Sequence, residues 1–163
     1  EELLAPFGAR IAQVHPFFLP ELVAYPLLAF LRLCYLMPGI LTDTYDQDAI
    51  LQFRGDDRFD QAFAFDPDAP DVLGMAAVKD GEILGMAGAS ADSPLFWQIG
   101  INVSPRQEMH VGSTLVRLLA QDILAQGTIP YYGTSMSHIA SQRVAHRAGF
   151  AVAWAELITE EVR

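Results

Sequence analysis

Residues 96–127 read FWQIGINVSPRQEMHVGSTLVRLLAQDILAQG, and their pattern decides the fold. Trp97, Ile99, Ile101 and Val103 alternate with Gln98, Gly100 and Asn102, the period of two expected of a strand with one packed face and one free face. Pro105 removes a backbone donor and ends that strand. From Gly112 onward Leu115, Val116, Leu118, Leu119, Ile123 and Leu124 recur at helical spacing until Gly127 supplies a stop. The turn between, residues 106–111, presents backbone N–H groups at a helix N-terminus, where the helix dipole adds about half a positive charge. Such a turn is either a seat for a phosphate or a plain strand-to-helix connection, and neither GxGxxG nor GxxxxGK is present to decide.

The flanking sequence extends this unit in both directions. Residues 72–78 and 82–89 are apolar runs bracketing Lys79-Asp80-Gly81-Glu82, a strong hairpin signal, so two antiparallel strands precede the Trp97 strand. Gly85, Ala87, Gly88 and Ala89 leave room on one of them for close packing or a ligand. After the helix, residues 129–135 with Tyr131 and Tyr132 read as a strand parallel to the Trp97 strand, because a helix of this length makes a right-handed crossover. A second helix follows over residues 139–148, opened by Ser137 or His138 and closed by Gly149, and residues 150–158 form the last strand.

Upstream, Leu3, Leu4, Phe7, Ile11 and Val14 fall at helical spacing until His15-Pro16 breaks the run. Residues 21–37 are apolar nearly all round, as in a helix buried against the domain or against a second copy in a homodimer. Pro26, Arg32 and Pro38 interrupt this stretch short of the roughly 20 apolar residues that a membrane span needs. Residues 42–71 carry nine aspartates among aromatics and read as a solvated loop region pinned to the core by Phe53, Phe59, Phe63 and Phe65. They lack the glycine and glutamate order of an EF-hand, so no metal is expected.

At 163 residues, 52% hydrophobic and 18% charged, the chain suits one ordered domain. Its net charge of −10 and single lysine leave no basic patch for nucleic acid and favour a cationic partner over an anionic one. Cys34 is the only cysteine and lies in an apolar run, which points to a core thiol and a reducing, cytoplasmic setting. No secretory leader pattern is visible from Glu1 onward.

Two segments carry a family resemblance. Val103-x-Pro105 followed by Gln107-x-x-His110-x-Gly112 and Ser113-Thr114-Leu115 resembles motif A of the GNAT N-acyltransferases. The run His138-x-x-Ser141 with Gly149-Phe150 eleven residues after His138 resembles their motif B. The resemblance implies an α/β (α+β) fold of one GNAT-like domain. Its mostly antiparallel mixed sheet has helices on both faces and a parallel pair splayed at the cofactor site. Residues 72–158 would be the acyl-coenzyme A core and residues 1–71 a variable N-terminal part.

By the same resemblance, Ile101, Asn102 and Val103 hold the pantetheine arm of acetyl-coenzyme A through their main chain. The loop of Gln107, Glu108, Met109, His110, Val111, Gly112, Ser113 and Thr114 takes the pyrophosphate. His138 and Ser141 reach the cofactor, and Arg143 and Arg147 either meet the 3′-phosphate or are ordinary solvated charges. The implied activity is acetyl transfer to an amine of a small molecule or peptide. A general base is sought among Glu156, Asp92 and His138, a group that titrates near neutrality. Ala145 stands where the family commonly has a tyrosine acid, leaving Ser141, Tyr131, Tyr132 or water, of which Tyr132 is preferred. Glu108, His110 and Ala145 together favour an alternative, a non-catalytic module that binds acyl-coenzyme A or a protein partner. His15 and His146 read as structural or exposed.

Overall fold

The computed structural model describes residues 3–21, 39–104 and 110–161. The buried helix expected over residues 21–37, with Cys34, lies outside them apart from the exposed Glu21. Seven strands form one sheet: β1 Ala9–Pro20, β2 Leu41–Asp46, β3 Asp71–Lys79, β4 Glu82–Ser90, β5 Phe96–Val103, β6 Ile129–Gly133 and β7 Phe150–Glu161. Their spatial order is β2-β3-β4-β5-β6-β1-β7. Only β5 and β6 run parallel. Three helices accompany them among the described residues, the short α1 Gln47–Ile50, α2 Val111–Ala125 and α3 Ile139–Ala148. No helix of the described residues is long and apolar enough to cross a membrane.

The β3–β4 hairpin turns at Asp80-Gly81, both at positive φ, and its tight pairing continues into β5. Alternation along these strands divides the core in two. Met75, Ala77, Ala87, Ala89 and Ile99 point to one face, where Val111, Leu115, Val116, Leu119 and Ile123 of α2 cover them. Ala76 and Met86 point to the other, under Ile50, Phe53, Phe59, Ala62 and Phe63. The sheet is therefore a central layer with helical or turn structure on both sides.

Two expectations are corrected here. Residues 9–20 are not helix but the strand β1, inserted between β6 and β7. The helical spacing of Ile11 and Val14 is overridden by an eleven-pair ladder with β7, which reaches from Ala9↔Glu161 to Pro20↔Phe150. Pro16 is tolerated because pairing toward β6 has dwindled there to single bonds, Thr134 N–H to Pro16 O and Met136 N–H to Val14 O. Residues 42–46 are not loop but the edge strand β2, paired along its whole length with β3.

In the rest of the acidic region Phe53, Phe59 and Phe63 are buried as expected and Phe65 is partly so, but residues 47–50 form the helix α1 rather than loop. Several of the region's aspartates serve the backbone. Asp46 Oδ1 caps α1 at Ala49 N, Asp56 caps Arg58 N and pairs with its guanidinium, and Asp71 Oδ2 accepts from Phe65 N.

The polar face of β5, expected to be free, is covered. Residues 60–63 cross it as a strap seated on glycine. A Cβ on Gly100 would lie 1.8 Å from the Gln61 carbonyl oxygen, and one on Gly88 would lie 1.9 Å from that of Ala62. Asn102 Oδ1 accepts the strap amides of Gln61 and Ala62 at 2.9 and 2.7 Å, and its Nδ2 donates to Asp60 Oδ1. The small residues of β4 and β5 thus admit a second chain segment rather than a side chain.

Candidate functional site

β5 and β6 pair over only three residues each, from Phe96↔Ile129 to Gln98↔Tyr131. Beyond that point β6 turns to pair with β1 at Phe17↔Gly133, while β5 continues along β4 to Val103. The two strands therefore part, and a gap opens in the middle of the sheet. Ser104 N–H bonds to Leu84 O on β4. By strand alternation the N–H groups of Val103 and Ile101, beyond the last residue paired with β6, face the other way, into the gap, and that of Asn102 faces β4.

A cavity of about 640 Å³ occupies the gap. Its lining includes Gln98 and Gly100 from the strap face of β5 and Ile99 and Ile101 from the helix face, so the cavity passes through the sheet. His15 and Phe17 of β1, Tyr131 and Gly133 of β6, and Trp154 and Glu156 of β7 line it, with Gln61 of the strap. Tyr132, Thr134, Ser135, His138 and Ser141 close it toward α3.

The fold brings the expected Tyr132, His138, Ser141, Glu156 and Ile101 to one cavity although they are up to 55 residues apart in sequence. Tyr132 Oη and Ser141 Oγ are hydrogen-bonded at 2.7 Å. Tyr132 is buried, and burial raises its pKa above the usual tyrosine value while the Ser141 bond opposes the shift. It stays a neutral hydroxyl suited to donating a hydrogen bond rather than to releasing its proton. Tyr131 Oη donates to Asp92 Oδ2. Burial first, then the Asp92 bond and the charges of Asp92 and Glu156, push its pKa up.

His138 is the exposed N-cap residue of α3 and makes no side-chain cap bond, which leaves its ring available to the cavity. Gln142 holds the loop before it, donating from Nε2 to the carbonyls of Ser135 and Met136. Buried Ala145, in the place of the family's tyrosine, packs in the core instead.

At the head of α2, Ser113 Oγ donates to His110 O and Thr114 N–H bonds the same carbonyl. His110 has φ −126°, a conformation open to any residue, so no glycine is demanded there. Gly112 serves helix-to-sheet packing. A Cβ there would meet Val103 Cγ2 at 3.0 Å, and Val111 and Ser113 beside it are buried. Gln107, Glu108 and Met109 lie outside the described residues. The Asn102 side chain anchors the strap. Arg143 and Arg147 are exposed on α3, and Arg147 stands about 13 Å along the axis from His138, at the end of α3 far from the cavity.

Sequence reasoning missed His15, Phe17, Trp154 and the strap. His15 received no role, yet it lines the cavity and its Nε2 lies 2.7 Å from Gln13 Oε1. No local signal marks these residues, because their meeting depends on β1 lying beside β7.

The chain matches the Acetyltransferase (GNAT) family over residues 39–150. No curated protein matches its sequence significantly. Among solved structures, a GCN5-related N-acetyltransferase-like protein from Streptococcus suis 89/1591 is similar at 14% identity and TM-score 0.66, covering 98% of this chain and 66% of its own. A GCN5-related N-acetyltransferase from Sphaerobacter thermophilus is similar at 16% identity and TM-score 0.63, covering 99% of this chain and 56% of its own. A tandem GNAT protein from the clavulanic acid biosynthesis pathway aligns at 13% identity and TM-score 0.64, over 99% of this chain and 58% of its own. This chain thus spans less than two thirds of these relatives' lengths, and at such identities the likeness concerns the fold.

Proposed function

We propose, from the premise that this chain belongs to the acetyltransferase (GNAT) family, that it transfers an acetyl group from acetyl-coenzyme A to an amine of a small molecule or peptide. The observation that carries this reading is the cavity that passes through the sheet where β5 and β6 part. A two-substrate acyl transfer needs such a passage, with the donor reached from one face and the acceptor from the other.

The residues fit the donor. The main chain of Ile101 and Val103, turned to a gap with no strand opposite, supplies donors and acceptors for an extended amide-bearing arm, as a missing strand would. The N-terminus of α2 lies at the end of the same strand, a favourable place for the pyrophosphate carried by that arm. Acetyl-coenzyme A brings a thioester already activated for attack. The protein's part is to orient it, to take a proton from the ammonium and to stabilise the departing thiolate.

Glu156, His138 and His15 are the cavity groups able to accept that proton. The hydrogen-bonded Tyr132–Ser141 pair offers a neutral hydroxyl to the thiolate. Because a thiolate is a good leaving group and burial holds the Tyr132 proton firmly, hydrogen bonding there is sufficient and full transfer is unnecessary.

The test is a titration calorimetry measurement of acetyl-coenzyme A binding, followed by a free-thiol assay over a panel of amines. Micromolar binding and amine-dependent thiol release are expected. Binding without amine-dependent release would favour the non-catalytic module, and no binding at all would sink the acyl-transfer reading.

A further inference from the structure

The strap side of the cavity carries a second kind of information, the chemistry of the acceptor. Phe17 and Trp154 sit opposite each other on β1 and β7, their rings stacked at 5.0 Å with planes 6° apart. Tyr131 leans against both, at 6.0 Å from Phe17 and 5.8 Å from Trp154. All three line the cavity and are only partly buried, so an aromatic wall is left open to whatever enters.

This wall is built into the backbone. The β1–β7 register slips between Phe17 and Phe18, skipping Ala153. Before the slip, His15↔Glu156 and Phe17↔Trp154 are direct partners, so both pairs share one face. Gly133 is the seat of the Phe17 ring, since a Cβ there would come within 2.7 Å of Phe17 Cε1.

The charge at the wall has one sign. No lysine or arginine lines the cavity among the described residues, and Glu156 is its only carboxylate. Trp154 Nε1–H points to Glu156 Oε1 at 3.4 Å, which sets the carboxylate beside the indole. Asp92 stands behind Tyr131, held by the hydroxyl, as a second negative charge. The other titratable groups facing this space are His15, His138 and Tyr132.

We infer that this side of the cavity is a subsite for a primary ammonium group on a flat aromatic body without a carboxylate, held between Glu156 and the Phe17–Tyr131–Trp154 wall. The inference rests on the reading that the amine enters here. An ammonium gains from the carboxylate and from the negative ring faces together, and an aromatic body covers surface that an aliphatic chain would leave poorly matched. A carboxylate on the same molecule would be repelled by Glu156 and, at longer range, by Asp92 beyond Tyr131.

The test is calorimetric titration of the protein with phenethylamine, 2-phenylethanol, butylamine and phenylalanine, with and without acetyl-coenzyme A. Phenethylamine should bind about tenfold or more tighter than each of the other three. Glu156→Gln should reduce its advantage over 2-phenylethanol to about threefold or less, and Trp154→Leu should do the same to its advantage over butylamine. Phe17→Leu should reproduce the Trp154 effect, and far-ultraviolet circular dichroism verifies that each variant folds.

Equal affinity for phenethylamine and 2-phenylethanol, or an unchanged preference in Glu156→Gln, would overturn the subsite. The amine titration without acetyl-coenzyme A separates the two readings. A retained amine preference in a protein that does not bind acetyl-coenzyme A supports the subsite while removing acyl transfer. Acetyl-coenzyme A binding with no amine preference does the reverse.

Discussion

Replacing Gly100 by alanine tests whether the strap is held on β5 by a glycine seat. The added Cβ would lie 1.8 Å from the Gln61 carbonyl oxygen, 2.9 Å from its carbonyl carbon and 3.4 Å from Ala62 Cα. A normal non-bonded approach is about 3.5 Å, so strap and strand must separate by roughly 1.5 Å. Both partners are backbone, which leaves no flexible side chain to move aside. Overpacking of this kind costs about 1–3 kcal/mol. The shift also stretches the two bonds from the Gln61 and Ala62 amides to Asn102 Oδ1, each worth about 0.5–1.5 kcal/mol.

The total is about 2–6 kcal/mol, or a fall in Tm of roughly 4–24 °C for a chain of this size. Urea unfolding followed by circular dichroism reads the free energy, and calorimetry reads the Tm. Gly127→Ala is the control. Its φ of +80° strains any side chain but its Cβ would meet nothing within 4 Å, so only the left-handed penalty of about 1 kcal/mol applies. Gly88→Ala strikes the same strap at Ala62, 1.9 Å from its carbonyl oxygen. The double variant should therefore lose clearly less than the sum of the singles, because the strap is displaced only once. A Gly100→Ala protein as stable as the parent, or strictly additive losses, would refute the account of the strap.

Three further predictions concern single groups. Tyr132→Phe removes the bond to Ser141 and should cost about 1 kcal/mol of stability, while kcat for acetyl transfer falls about tenfold or more and acetyl-coenzyme A affinity stays unchanged, as calorimetry and steady-state rates would show. Asn102→Ala should destabilise by about 1–3 kcal/mol by orphaning the strap amides. Asn102→Asp keeps their acceptor but sets a carboxylate against Asp60, so its unfolding free energy should recover on acidification. Asp71 is buried with Oδ1 lacking a partner among the described residues, and burial raises its pKa above the ordinary 3.8. Its contribution to stability is therefore complete below that ordinary value and lost as pH climbs through the raised one. Asp71→Asn should gain on the parent from about pH 4 to pH 7 in urea titrations, and a constant difference would contradict this.

The local elements were legible because their signals are local. The alternation of Trp97, Ile99, Ile101 and Val103 specified β5, Asp80-Gly81 specified the hairpin, and the spacing from Leu115 to Leu124 specified α2. Gly149 closed α3 at φ +94° as its position after the helical run requires. With the paired motifs, these were enough for the sheet order from β3 to β6 and for the family. Tyr132, His138 and Ser141 were within reach of sequence for the same reason, since a strand, a turn and a helix bring them together within ten residues.

What sequence could not determine lies wherever a non-local partner overrides a local preference. Residues 9–20 carry a helical spacing, yet the ladder offered by β7 makes them strand. That insertion carries His15 and Phe17 to Trp154 and Glu156, about 140 residues later. The same holds for Gly100 and Asn102, whose pattern promised a free polar face. A strap arriving from some 40 residues upstream takes their place in water, because glycine lets its carbonyls approach and Asn102 satisfies its amides. The chain encoded its elements and its family motifs in short-range pattern, whereas the wall of Phe17, Tyr131 and Trp154 exists only once distant strands have paired, because backbone pairing depends on what lies opposite and not on what lies adjacent in sequence.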